Sequence, residues 1–553
     1  MGLELPGVEE GKVSQRSRII KPLPLSGMRK GKIKKQEQFK ATSDENKAAQ
    51  AVYEPQPAEL MPQPVQSELA ANIETLQQAF SNAPDFVLRE IPINGQCYNK
   101  LAIAYLDGLV DLDVVNRDIL APLVLAGEKA VLCLEQNPAV NTAKMKKSRQ
   151  MQDVLVAILT GLAVLFVDGL KYAYIFDVIT YPARPVGQPI TESTIRGPQE
   201  GFTEVLRINI TQIRRRLKDP DLKINIYKIG QRTQTDVALF YMRDLTPPSY
   251  LQEIENRLQK VQIDGVLDTG YLEQMIADHP NAIFPQALTV ERPDRVVANL
   301  LEGRAAIMVD GSPFAVIMPV TFWQLFQSPD DYYQRWIMSS FIRLLRFLAV
   351  LVALLLPATY ISVVYYHYEL IPQGLIIAIA QDRSRLPYGP LVEVLFMELT
   401  LEVLRETGLR IPGTLGPTIS IVGGLVIGDA AVKANLVSPI MVIVVALTAL
   451  ASLTIPSFDT AYGIRLLRFV FSIMASVLGG FGMAVGVYML AINLAAMRSL
   501  GVPFWAPVMP LLYRDLRDTF IRAPWRLLSR RPSFVRTLDT VRQRHPRKSR
   551  GSR

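Results

Sequence analysis

The spacing of apolar and polar positions changes at about residue 345. Upstream, short apolar runs alternate with charged ones. Downstream lie three long stretches free of charged side chains, Phe347–Tyr366, Leu436–Phe458 and Phe469–Met497. Each reaches or exceeds the roughly 20 apolar residues that cross a bilayer. In the upstream half, Phe86–Ile91 and Lys129–Leu134 read as strands around a helical stretch, Leu106–Leu125. The apolar run Val154–Val167 is short for a span, so it is read as ending in a buried strand, Leu162–Val167. An Asp168-Gly169 turn and a second strand, Leu170–Ile175, follow. Further on, Phe202–Leu217, Pro248–Lys260 and Tyr271–Asp278 have helical periodicity, and Val237–Met242 reads as a strand. Ala305–Val309, Asp310-Gly311 and Phe314–Pro319 repeat the strand–Asp-Gly–strand pattern, which suggests two related α/β subdomains.

The downstream half predicts a first span kinked at Pro357, an interfacial segment at Ile371–Ala380 and an acid-bearing helix at Pro390–Glu406. A Gly-rich stretch of marginal length, Ile411–Gly428, comes next, followed by a span at Leu436–Phe458. Phe469–Met497 is either one tilted helix or two pieces broken near Gly479-Gly480-Phe481-Gly482, and Val502–Tyr513 reads as a re-entrant stretch. Four to six crossings are expected, and Arg343/Arg346, Arg405/Arg410, Arg465/Arg468 and the Arg-rich tail can all be cytoplasmic if an even number of crossings intervenes. The fold class is thus an α/β cytoplasmic region followed by an α-helical multi-pass membrane domain. Its parts are a disordered basic extension (1–70), two α/β subdomains (75–188 and 189–340), the membrane domain (341–513) and an Arg-rich cytoplasmic tail (514–553). The charge, the cysteines and the short apolar runs of the upstream half suit water, so it is expected to fold separately.

Composition sharpens this picture. The net charge of +9 is concentrated in lysines at the start and arginines at the end of the chain. Beside membrane spans such tails face anionic lipid on the cytoplasmic side, and no basic folded module accompanies them, so nucleic acid is not expected as a partner. Cys97 and Cys133 form no CxxC motif and suit packing in a reducing compartment. The three histidines, His279, His367 and His545, are widely separated, so no catalytic triad, metal centre or cofactor is expected, and the chain is not read as an enzyme.

Several motifs carry a resemblance. They are Glu192–Phe202 (ESTIRGPQEGF), Ile213–Asp219 (IRRRLKD), Thr289–Arg295 (TVERPDR), Val309–Phe314 (VDGSPF), Glu402–Pro412 (EVLRETGLRIP) and Gly416–Gly428 (GPTISIVGGLVIG). Together they resemble the A subunits of spore germinant receptors, the GerA family of spore germination proteins, over roughly residues 150 to 520. The resemblance implies a multi-pass subunit of the spore inner membrane that works with a transporter-like B subunit, which carries the nutrient pocket, and a lipoprotein C subunit. It further implies a homo-oligomer, a pentamer, acting as a ligand-gated channel that releases monovalent cations. A nutrient-independent amplifying channel of the same family shares these motifs. A non-conducting scaffold subunit is the remaining alternative.

The candidate pore or gating residues are Glu398, Glu402, Thr418, Ser420, Gly424, Gly428, Asp429 and Lys433. Glu398 and Glu402 share a helix face at i,i+4, with Glu393 off that face, and a ring of such acids would select cations. The competing expectation is that this helix lies at the interface, with Glu402 pairing with Arg405 or Glu406 with Arg410. Gly424 and Gly428 form a GxxxG that suits close helix packing, Thr418 and Ser420 add hydroxyls, and Asp429 and Lys433 are spaced to pair. Glu291–Arg295 reads as a salt-bridged helix start.

Overall fold

The computed structural model describes residues 63–92, 100–126, 145–179, 187, 189, 192, 194–411 and 415–543. The expected strand at Lys129–Leu134, both cysteines and most of the N-terminal extension lie outside these residues. The upstream half contains two five-stranded antiparallel sheets. The first comprises β1 (Phe86–Pro92), β2 (Lys100–Leu106), β3 (Met145–Ser148), β4 (Ala163–Val167) and β5 (Ala173–Phe176), in the order β1-β2-β4-β5-β3. The second comprises β6 (Leu222–Ile229), β7 (Thr235–Met242), β8 (Leu288–Val290), β9 (Ala305–Val309) and β10 (Ala315–Met318), in the order β6-β7-β9-β10-β8. The two orders are the same, displaced by five strands.

The repetition extends to individual bonds. Helix α1 (Leu69–Ala79) precedes β1, α2 (Met151–Leu159) precedes β4, and α3 (Leu206–Arg216) precedes β6. The amide that opens α1 donates from Leu69 to Asp168 Oδ1 at 3.2 Å, and the one that opens α3 donates from Leu206 to Asp310 Oδ1 at 3.0 Å. Each Asp-Gly turn thereby satisfies a helix N–H that has no partner inside its own helix. Three residues into each helix a buried asparagine bonds both backbone groups of the residue six positions earlier. Asn72 does this with Gln66, at 2.7 and 2.9 Å, and Asn209 with Thr203, at 2.6 and 2.8 Å. The sequence shows the same unit twice, as Leu69-Ala70-Ala71-Asn72-Ile73 and Leu206-Arg207-Ile208-Asn209-Ile210. The two units are joined by Arg214, which is buried and donates to Asp85 at 2.8 and 3.0 Å. Lys223 Nζ adds a bond to the Ala79 carbonyl at 3.0 Å.

Around the second sheet stand α4 (Pro248–Lys260), α5 (Thr269–Ile276) and α6 (Pro293–Leu300). The helical half then comprises α7 (Trp336–Tyr365), α8 (Gln373–Arg383), α9 (Pro390–Arg410), α10 (Leu415–Lys433), α11 (Pro439–Ser452) and α12 (Phe458–Ala496). Helix α7 starts against the α/β part, where Arg346 donates to the Phe326 carbonyl at 2.7 Å, and runs about 45 Å away from it. Pro357 lies within this helix. Near its far end the Tyr360 hydroxyl lies 3.3 Å from that of Ser438, at the start of α11. Glu393, near the start of α9, accepts from the Ser438 amide at 3.0 Å, whereas Arg405, near its end, meets Ser452 at the end of α11 at 3.4 Å. Helices α9 and α11 therefore both run back towards the α/β part.

Helix α12 is not one rod. Gly479 has φ +62° and ψ −141°, outside helical space and favourable only for glycine. A Cβ placed on Gly482 would fall on the Met474 carbonyl oxygen, and one on Gly486 would come within 2.9 Å of the Phe471 ring. In a straight helix those residues stand about 12 and 22 Å apart along the axis. The chain has therefore folded back into a hairpin, with arms over 458–478 and 480–496. Of the two alternatives for this stretch, the structure has the broken one. The Tyr366 hydroxyl donates to the carbonyls of Ser476 and Val477, each at 2.8 Å, and His367 Nε2 accepts from the Gly480 amide at 3.3 Å. The end of α7 thus satisfies backbone groups that the turn leaves open.

The returning arm delivers the chain to the second subdomain. Ser499 Oγ donates to the Gln286 carbonyl at 2.8 Å, and the Phe504 ring packs on Phe322. Val502–Tyr513 is thus not re-entrant: its leading part forms β12 (Val502–Pro503), paired with β11 (Arg498–Ser499), and Phe504 is buried beside Phe322. Nor does 514–543 hang free. Val535 is fully buried in the cluster that holds β7 and α4, and its carbonyl accepts from Tyr250 Oη at 2.9 Å. A second apolar cluster runs unbroken from α3 through Phe284 and Phe326 into α7, α9, α11 and α12. The change of composition at residue 345 is therefore not a boundary in packing.

Gly482→Val should drive the hairpin arms apart, because the obstructing atom is backbone and cannot rotate away. The expected cost is about 1–3 kcal/mol, read as a lower thermal midpoint of the purified full chain. An unchanged midpoint would show that the arms are not in close contact.

Candidate functional site

Glu398 and Glu402 lie one turn apart on α9, and Arg465 and Arg468 lie three residues apart on the outgoing arm of α12. These spacings put each pair on one helix face, and the two faces meet. Arg468 Nε lies 3.1 Å from Glu398 Oε1, with side chains 3% and 0% exposed. Glu402, 26% exposed, reaches Arg405 at 3.0 Å, Arg465 at 3.0 Å and Arg468 at 3.4 Å. Two carboxylates thus face three guanidiniums, leaving one positive charge in excess. The Arg465 guanidinium also lies over the Tyr462 ring, 4.0 Å from its centroid, a placement that favours a cation.

The sequence expectations meet this geometry unevenly. The pairings Glu402–Arg405 and Glu406–Arg410 both form, the second at 2.6 Å on an exposed surface. Glu398 is turned fully inward within its own chain, so it presents no carboxylate to the surface. Glu393 lies off this face as expected; it is buried, accepts from the Ser438 amide and stands 3.5 Å from Arg383. Asp429 and Lys433 pair at 2.6 Å, exposed. A Cβ on Gly424 would meet nothing within 4 Å, and one on Gly428 makes an ordinary contact with Val442, so this GxxxG packs no helix closely within the chain. The close approach falls one residue earlier, where a Cβ on Gly423 would come within 2.9 Å of Leu404. Thr418 and Ser420 lie on α10, and their side chains are outside the described residues.

Sequence reasoning read Arg465 and Arg468 only as markers of orientation. The available signal was their spacing, which matches the acids of α9. Arg343 and Arg346 are a similar case: expected on the cytoplasmic side just before the first span, they are buried inside the chain. Asp331, 2% exposed, lies 3.1 Å from each of them, and Arg343 also reaches Asp518 at 3.1 Å. The helix start at Glu291–Arg295 is salt-bridged as expected, with Arg292 pairing with Asp294 and Arg295 with Glu192. Among the described residues no group of three or more His, Cys, Asp or Glu side chains is placed to hold a metal ion.

A different acid lies on α5. Burial, followed by the charges of Asp459 and Asp268, pushes the Glu273 carboxyl up to about 7, against one hydrogen bond from Thr289 at 2.9 Å.

A tandem α/β region joined to a helical half with charges buried inside defines the class: a two-part protein whose helices carry ionic groups internally. Residues 74–534 match the Bacillus/Clostridium GerA spore germination protein family. The chain is 41% identical over 474 residues to the uncharacterized membrane protein YfkQ of Bacillus subtilis, covering 85% of this chain and 91% of that one. It is 40% identical over 484 residues to spore germination protein KA of the same organism, covering 87% and 89%. To spore germination protein B1 it is 38% identical over 483 residues, covering 87% and 100%. The crystal structure of the N-terminal domain of the A subunit of the Bacillus megaterium spore germinant receptor GerK3 aligns with a TM-score of 0.38 at 30% identity, over 47% of this chain and 98% of that one. The chain belongs to the GerA family of spore germination proteins.

Glu398→Gln leaves buried Arg468 with only its longer contact to Glu402, 3.4 Å, which should cost about 3 kcal/mol. The double variant Glu398→Gln/Arg468→Gln should recover much of that loss. Thermal midpoints of the two purified variants check this, and equal losses would mean that the two groups are not coupled.

For Glu273 the folded state holds the proton more tightly than the unfolded chain, whose carboxyl titrates near 4.5. Its contribution to stability is therefore full below pH 4.5 and is lost as the pH rises through about 7. Wild type should lose more stability than Glu273→Gln between pH 5 and 8, read from thermal midpoints across that range. Parallel profiles would remove Glu273 as the titrating group.

Proposed function

We propose that this chain is the membrane-spanning A-type subunit of a nutrient germinant receptor in spores. Its helical half crosses the spore inner membrane, and its α/β part lies on the cytoplasmic side. The subunit works with a transporter-like B subunit and a lipoprotein C subunit. It assembles as a ring, a pentamer on the family resemblance, that releases monovalent cations when germinant binds.

The observation that carries this reading is the inverted distribution of charge in the helical half. Leu344, Leu348 and Leu351 of α7, Ile443, Leu447 and Leu450 of α11, and Leu466, Ile473 and Val477 of α12 are all exposed. Glu393, Glu398, Arg465 and Arg468 are buried. A surface of leucine, isoleucine and valine around paired charges suits hydrocarbon as the surrounding solvent. Two helices pass as spans by length and composition, α7 and α12. With α12 folded back and α9 to α11 alternating in direction, we assign six crossings. An even number keeps both the α/β part and the C-terminal segment on one side.

For conduction, Glu402 is the acid of the cluster that remains partly exposed. A ring of one such carboxylate per subunit attracts cations. Thr418, Ser420, Gly424, Gly428, Asp429 and Lys433, all on α10, are the other candidates for the ion path.

In planar bilayers containing the purified chain, Glu402→Gln should lower cation conductance at least roughly twofold or weaken selectivity, and Glu402→Lys should lower it further. Unchanged currents in both variants would move the ion path to α10. Absence of any current from a correctly assembled ring would leave a scaffold subunit.

A further inference from the structure

The C-terminal segment that wraps the second subdomain closes a cavity of about 70 Å³ beside the head of α7. Its lining includes Arg514, Arg517 and Arg530, all exposed, whose side chains make no hydrogen bond or ion pair among the described residues. The neighbouring cations and anions are engaged. Arg531 donates to the carbonyls of Leu301, Asp539 and Val541, and Arg542 pairs with Glu302. Asp515 accepts from the Ser533 amide at 2.8 Å, and Asp518 is held by Arg343 and Tyr332. The lining holds five arginines, Arg531 and Arg542 included, against Glu302, Asp515 and Asp518, and this excess of two positive charges in one concavity creates a positive potential.

The surroundings of the cavity indicate where its anion comes from. Trp323, also in the lining, packs on Phe347 of α7 at 5.8 Å and on Phe520 at 4.8 Å. At the rim Trp525 and Leu527 are exposed, as are Ile337 and Phe341 on the adjoining turn of α7, where Ser340 bonds the Arg522 carbonyl at 3.0 Å. Arginines among aromatic and aliphatic side chains, at the foot of an apolar helix, match the chemistry of a bilayer's headgroup layer.

We propose that this cavity binds the phosphate of an anionic membrane phospholipid. Arg514, Arg517 and Arg530 donate to the phosphate oxygens, and the acyl chains lie along the exposed face of α7. The site holds the C-terminal segment against the membrane and ties subdomain 2 to the first helix. It rests on the membrane-spanning reading above.

The test is thermal unfolding of the purified full chain in a neutral detergent, with short-chain phosphatidylglycerol, short-chain phosphatidylcholine or inorganic phosphate added. The comparison is with the variant Arg514→Gln/Arg517→Gln/Arg530→Gln, which removes only exposed side chains and should match wild type without lipid. Phosphatidylglycerol should raise the wild-type midpoint by roughly 4 °C at saturation and leave the triple variant unmoved. Phosphatidylcholine and inorganic phosphate should have no effect on either protein. An equal rise with inorganic phosphate would overturn the lipid as the source of the anion. A rise retained in the triple variant would overturn the location, and no rise in wild type would overturn the site. The membrane reading fails separately: a chain that stays monodisperse without detergent would refute it, while the phosphate arm still reports on the cavity.

Discussion

Glu398 and Arg468 lie deep in the helical half, where Glu398 has Arg468 as its ion-pair partner and Arg468 has Glu398 and Glu402. Removing one buried ion's partner costs several kcal/mol, far more than an exposed pair contributes. The requirement fixes more than two side chains. Helix α9 has to present its acids to the arginines of α12, which sets the rotation of both helices. It also keeps the outgoing arm of α12 against α9, while α7 packs against α9, α11 and α12. Glu402 and its three guanidiniums extend the same constraint towards the surface.

The α/β part solves a comparable problem with neutral groups. In each of two units an Asp-Gly turn caps a helix that precedes it by about a hundred residues, and an asparagine fixes the chain entering that helix. These bonds are long-range in sequence, so they hold a sheet and a helix in one register rather than stabilising a local turn. Their recurrence at equivalent positions, with the same strand order, points to duplication of one ancestral unit. The joint between the units does not repeat: Arg214, paired with Asp85, has Gln77 at the position equivalent to it in α1.

The two halves are tied at three levels. The apolar cluster crosses residue 345 without a gap. Asp331 and Asp518 hold Arg343 and Arg346 at the head of α7, and the hairpin of α12 returns the chain to complete the core of the second subdomain. A displacement of α12 would therefore be felt both at the ionic cluster and at the sheet.

The sequence by itself determined the division into an α/β region and an apolar helical region. Hydrophobic period and the length of uncharged runs depend only on neighbours in the chain. It also supplied the two strand–Asp-Gly–strand hairpins, the acidic helix and the local pairs Glu402–Arg405, Glu406–Arg410 and Asp429–Lys433, since partners three or four residues apart lie on one helix face. The fold-back at Gly479 was legible as one of two alternatives, because glycines mark a break without giving its angle. Tertiary structure alone decided the rest. That Arg468 faces Glu398, that Arg343 and Arg346 turn inward to Asp331, and that Val535 packs into a core begun three hundred residues earlier all depend on distances across space. An arginine beside an apolar stretch reads the same whether it meets lipid or a buried carboxylate, and only the packing of the helices separates the two.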